Sequence, residues 1–188
     1  MKIENQFDAA GPMTFKNGAI VHHGAKIIGN VTIDADAVID AFAFIYSPKG
    51  STISVGRHVH IATHVSISGG DCVLEDFSCV GPGSRLLVAS DSFQGDALVG
   101  SAVPAKFRNV KRKPITLKRH AIVGANCVIM PGVTIGEGAC IGANSLVLHD
   151  VVPWTIMGGS PVRLIKYRMQ GNIHILEQQL EAEKKAAK

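Results

Sequence analysis

The chain has 188 residues, enough for one domain with a sizeable core. It is 46% apolar but only 5% aromatic, so its core must come from Val, Ile, Ala and Leu, which suits stacked layers of even thickness. The net charge of +4 is a mild excess that favours an anionic ligand, and no apolar run approaches the roughly 18 residues of a membrane span. Residues 1–6 hold no signal-like apolar stretch, so a soluble cytoplasmic protein is expected. The four cysteines (Cys72, Cys79, Cys127, Cys140) form no C-x-x-C pair and read as small fillers in a reducing compartment.

Taken in order, residues 1–18 are polar and irregular, with Phe7, Pro12 and Phe15 as anchors of an expected cap over the first layer. A six-residue rhythm then starts at Val21 and continues through Ile27, Ile33, Ile39 and Ile45. Small residues (Ala25, Val31, Ala37, Ala43) sit four places after each aliphatic. Residues 46–52, Y-S-P-K-G-S-T, break the pattern as a turn-rich insertion. It resumes at Val55, Ile61 and Ile67 and slips by one at Gly69-Gly70. It then passes through Leu74, Val80 and Leu86. A slip of one inverts a strand's faces, so the two glycines are expected to absorb it as a bulge or widened corner.

Residues 87–116 carry no rhythm and end in the basic run Lys111-Arg112-Lys113. A long excursion from a regular scaffold is more often functional than decorative. One aromatic (Phe107) and one short basic run argue against nucleic acid. The rhythm returns at Leu117 and is plainest at Val123, Ile129, Ile135, Ile141 and Val147. Six is a multiple of the strand period and not of the helix period. So many Gly and β-branched residues would also break a helix. The pattern predicts a solenoid of very short strands and sharp corners, a parallel β-helix of about seventeen hexads in five to six triangular coils. Beyond Pro153 comes G-G-S-P-V-R-L-I-K, and Ile173, Leu176 and Leu180 lie at helical spacing in the charged tail. The expected division is a β-helix over residues 1–168, with the loop at 87–116, and a C-terminal helix and tail over 169–188.

The hexads, the long loop and the ending H-D-V-V-P-W-T-I-M-G-G-S-P-V-R-L-I-K together resemble the hexapeptide-repeat acyltransferases, in particular the galactoside and maltose acetyltransferase type. The resemblance spans roughly residues 20–168. It implies a left-handed coil, a homotrimer with sites between subunits, acetyl-CoA as donor and a sugar or nucleotide-linked sugar as acceptor. The hand comes from the resemblance alone, because general sterics favour right-handed crossovers. Ala125 and Ala143 match small residues along the pantetheine arm, with Ser145 and His149 on the same strip. Arg163 and Lys166 match basic residues at the nucleotide phosphates. Where the family places a catalytic His in the long loop, this chain has Asp91. The segment S-D-S-F-Q-G resembles the S-D-D-[FY]-S-G of bacterial polysaccharide-linked acetyltransferases.

Histidines offer the missing base. His58, His60 and His64 cluster in one coil, and His120 follows the basic run. Asp91 acting with His64 or His60, within the chain or across a subunit boundary, is the expected catalytic set. γ-Class carbonic anhydrases share such a scaffold but pair a lone His with a downstream H-x-x-x-x-H, which is absent here, so no metal is expected. A metal enzyme of that kind and a non-catalytic β-helix used for assembly are the competing readings. Phe42 and Phe44 are expected to point outward, where neighbouring subunits would cover them.

Overall fold

The computed structural model describes residues 2–3 and 8–186; Phe7 lies outside them. Three sheets of nine, seven and six strands, parallel except for the last strand of the first, form the sides of a triangular prism. Every hexad contributes one short strand, and strands one coil apart pair in exact register. On the first face Val38–Ile39, His60–Ile61, Cys79–Val80, Ile122–Val123 and Cys140–Ile141 are successive neighbours. The rhythmic aliphatics point inward, so Ile27, Ile33, Ile39, Ile45, Ile61, Ile67, Leu86 and Ile129 are all at 0% exposure. The small residues four places on, among them Ala25, Ala37 and Ala43, are buried at the corners, where valine (Val59, Val65, Val133) also packs.

The N-terminus departs from expectation. Lys2–Ile3, Asp8–Ala10 and Met13–Phe15 are strands that pair with Ile20–Val21, Lys26–Ile28 and Val31–Ile33. They make a further coil rather than an irregular cap, because a parallel ladder needs backbone donors and acceptors and not the hexad pattern. The second face therefore carries seven strands, one coil beyond the upper expectation. The insertion at 46–52 and the slip at Gly69-Gly70 both fall at the corner between the second and third faces. Leu74 still lies beside Val55, so the slip leaves the faces intact. Gly69 takes it up with φ +107, and a Cβ there would sit 2.7 Å from that of Ala89.

The excursion is structured at its base. Ala89–Asp91 pairs antiparallel with Val110–Arg112, and Ala105–Phe107 forms a single 3-10 turn. After the last coil, Arg163–Tyr167 runs antiparallel to Thr155–Gly158, and helix α1 (Gly171–Ala186) follows. Ile173 and Leu180 are half-buried, but Leu176 is 62% exposed and no residue of α1 is buried. The apolar stripe is not what docks the helix. No helix among the described residues is long and apolar enough to cross a membrane.

Candidate functional site

The corner between the first and second faces is a bare edge. Gly81, Gly124 and Gly142 stack there, and a Cβ at Gly124 would come within 2.7 Å of the Ala143 nitrogen. Ala125 and Ala143 sit on successive coils of this edge, linked by the Asn144 N–H donating to Ala125 O at 2.8 Å. Gly158 lies 3.8 Å beyond the position a Gly142 Cβ would take, and it pairs with Arg163. Ala125, Ala143 and Arg163 thus fall in one line, with the exposed Lys166 on the same final strand. Ser145 is buried: its hydroxyl donates to Gly142 O at 2.6 Å and accepts from the Gly159 N–H at 3.1 Å. It braces the turn that carries Arg163. His149 is exposed beyond the second-face strand Leu146–Val147, away from this edge.

Further along the same edge lie His60 and His64. His64 takes a positive φ of 59°, stacks on Phe42 at 5.2 Å and shares a hydrogen bond with Thr63 Oγ1 at 2.8 Å. His60 Nε2 lies 3.0 Å from Asp40 Oδ2, and its Nδ1 lies 4.0 Å from Cys79 Sγ. Burial, and then the Asp40 charge, raise the Cys79 thiol above its ordinary range, so it stays protonated. His58 turns to another corner, toward Asp36 and Lys184, so the three histidines do not converge.

Asp91 stands apart from these histidines, at the second-to-third corner. Its Oδ2 accepts from the Gly100 N–H at 3.0 Å and its Oδ1 from Arg108 Nη2 at 2.9 Å. These contacts, Gly100 first and then Arg108, hold its carboxyl below the usual carboxylate range. Within one chain the carboxylate on His60 is Asp40, a partner the sequence reading missed. Asp91 lines a groove of 250 Å³ with Tyr46, Gly69, Arg108 and Arg112.

Comparison with known proteins agrees with this scaffold. The Bacterial transferase hexapeptide (six repeats) family pattern matches residues 114–149. The crystal structure of an Asp-to-Asn variant of AntD, an N-acyltransferase from Bacillus cereus in complex with dTDP and coenzyme A, is 30% identical. It covers 93% of this chain and 91% of its own, with a TM-score of 0.68. This chain belongs to the hexapeptide-repeat acyltransferases. Among curated members, the dTDP-4-amino-4,6-dideoxy-D-glucose acyltransferase of Escherichia coli is 27% identical over 74% of this chain and 72% of its own length. The galactoside O-acetyltransferase of Escherichia coli K12 is 30% identical over 65% of this chain and 57% of its own.

The remaining cluster of this acyltransferase lies under helix α1. Non-glycine residues with positive φ (Asp36, His58, Phe77, His120, Trp154) fill one further corner. Their rings stack, His58–Phe77 at 4.8 Å and Phe77–His120 at 5.2 Å. Helix α1 runs along this column through Glu177, Glu181 and Lys184, which engage Arg119 and His120, Arg57, and Asp36. Ligand atoms of His120, His174 and Glu177 lie within 4.8 Å of one another. Glu177 is already balanced by Arg119, and Arg168 bonds His120 O at 3.1 Å, so the cluster is an ionic latch with little attraction for a cation.

Proposed function

We propose that the chain transfers the acetyl group of acetyl-CoA to the amine or hydroxyl of a sugar, with a nucleotide-linked amino sugar as the best-fitting acceptor. The observation that carries this reading is the near full-length likeness to AntD, whose crystal structures hold coenzyme A and dTDP or dTDP-4-amino-4,6-dideoxyglucose. The bare edge supports the donor side: backbone free of side chains lets a pantetheine arm approach Ala125 and Ala143, and Arg163 and Lys166 suit its phosphates. An enzyme using these substrates works where both are made, the cytoplasm, and feeds polysaccharide assembly.

The acceptor nitrogen or oxygen attacks the thioester carbonyl and loses a proton as the tetrahedral intermediate forms. His60 takes that proton on Nδ1 while Asp40 holds Nε2–H, and His60 returns it to the departing CoA thiolate. His64 flanks the same edge. Asp91, ionised and fixed by Arg108, holds the acceptor's amine or hydroxyl from a neighbouring subunit. The test is release of free CoA thiol from acetyl-CoA against a panel of free and nucleotide-linked amino sugars. No thiol release with any of them overturns the reading.

A further inference from the structure

The basic run at the foot of the excursion has no part in the donor edge or in the proton transfer. Arg112 and Lys113 line a cavity of 340 Å³ together with Lys49, Gly69, Gly70 and Asp71. It adjoins the Asp91 groove, since Pro48, Gly69 and Arg112 border both. The Arg112 guanidinium is anchored by donating to Gly69 O, which fixes its direction and leaves its remaining N–H groups unspent. Asp71, the acidic member, has one oxygen occupied by the Thr52 N–H at 2.8 Å. Three cationic residues and one carboxylate thus line the cavity around a wall that two glycines keep low, the Lys113 stem crossing Gly132 of the next coil.

Charge is arranged along this channel. Arg112 pairs with Ala89 across the hairpin and Val110 pairs with Asp91. Arg112 and Asp91 therefore stand on the same face of the ribbon, their backbones two residues apart along the strand. An acceptor bound at Asp91 would extend along this shared channel toward Arg112.

We propose that Lys49, Arg112 and Lys113 form a diphosphate subsite for a nucleoside-diphosphate-linked acceptor. The subsite rests on the proposed function and sharpens it, because it makes the diphosphate, and not the sugar alone, the recognised group. Phosphate held by arginine and lysine forms charge-assisted hydrogen bonds, and losing them weakens binding about tenfold or more per cation.

The test uses the full chain with Arg112→Gln and Lys113→Gln together; both side chains are exposed, and thermal melting checks that the variant folds. Binding of dTDP is measured by calorimetry, and KM is measured for acetyl-CoA, a nucleotide-linked amino sugar and its diphosphate-free counterpart. The expected result is at least a tenfold loss of dTDP affinity and a matching rise in KM for the nucleotide-linked acceptor only. Unchanged dTDP affinity in a variant whose parent acylates nucleotide-linked sugars overturns the subsite and leaves the function standing. A rise in the acetyl-CoA KM alone overturns it too, by giving the groove to the donor's diphosphate. If dTDP affinity falls but the parent acylates only diphosphate-free sugars, the acceptor reading fails while the nucleotide site survives.

Discussion

Asp40 and His60 lie on adjacent coils, and their 3.0 Å contact sets the tautomer of the imidazole. Asp40→Asn puts an amide where the ring needs an acceptor and allows the wrong tautomer. It is expected to lower kcat about 10²-fold or more, as His60→Ala does, while Asp40→Glu restores part of the loss. Steady-state kinetics across neutral pH decide the point; an Asn variant with parental kcat removes Asp40 from the mechanism. Asp91 behaves differently. Because its folded-state pKa is depressed, it is ionised well below neutral pH and contributes no limb to the activity profile there. Asp91→Asn should raise the acceptor KM so far that turnover is nearly lost at ordinary acceptor concentrations, and leave the acetyl-CoA KM alone. The sequence singled out His60, His64 and Asp91 as candidates, but not the Asp40 that the fold places beside His60. Its offset from His60 is 20 residues, because the turn at 46–52 lengthens that coil and hides the pairing.

Elements show a similar division. Hexads announce strands because inward aliphatics recur every six residues, and the core they predicted is the core observed. What spacing could not show was how helix α1 docks. Ile173, Leu176 and Leu180 pointed to an apolar face, yet the helix lies on the prism through Glu177, Glu181 and Lys184, which meet three of four successive coils. Seven helical residues span about 10 Å against three coil spacings of about 14 Å, and the long Lys184 and Arg119 side chains cover the difference. A helix held by ion pairs is salt-sensitive. It is also pH-sensitive through His120, whose pKa is lowered to about 4 by burial, then by Arg119, His174 and Arg168. A depressed histidine contributes stability that is present above its unfolded pKa and lost as pH falls toward the folded value. Protection factors of the α1 amides, corrected for the intrinsic exchange rate at each pH, should therefore fall between neutral pH and pH 5, and fall again with added salt. Equal protection under all conditions would mean that apolar contact holds the helix after all.

At the scale of the whole molecule, the donor edge with His60 and the groove with Asp91 occupy different corners of one prism. On the proposed mechanism a single chain keeps the two halves of the chemistry apart, and a complete site would need the edge of one copy against the groove of another. Phe42, 59% exposed beside His64 on that edge, is apolar surface such a contact would cover. A closed ring of three copies repeats the contact three times. Sedimentation should accordingly give three times the 19.9 kDa chain mass rather than one. The sharper test uses two inactive variants, His60→Ala and Asp91→Asn, unfolded together and refolded as mixed trimers. With each site built from two chains, as proposed, random mixing gives roughly a quarter of them an intact His60 from one copy and an intact Asp91 from the next. Activity should rise from near zero in either pure variant toward that fraction in the mixture. If each site were contained in one chain, no mixture could assemble an intact one, and the mixed sample would stay as inactive as its parents.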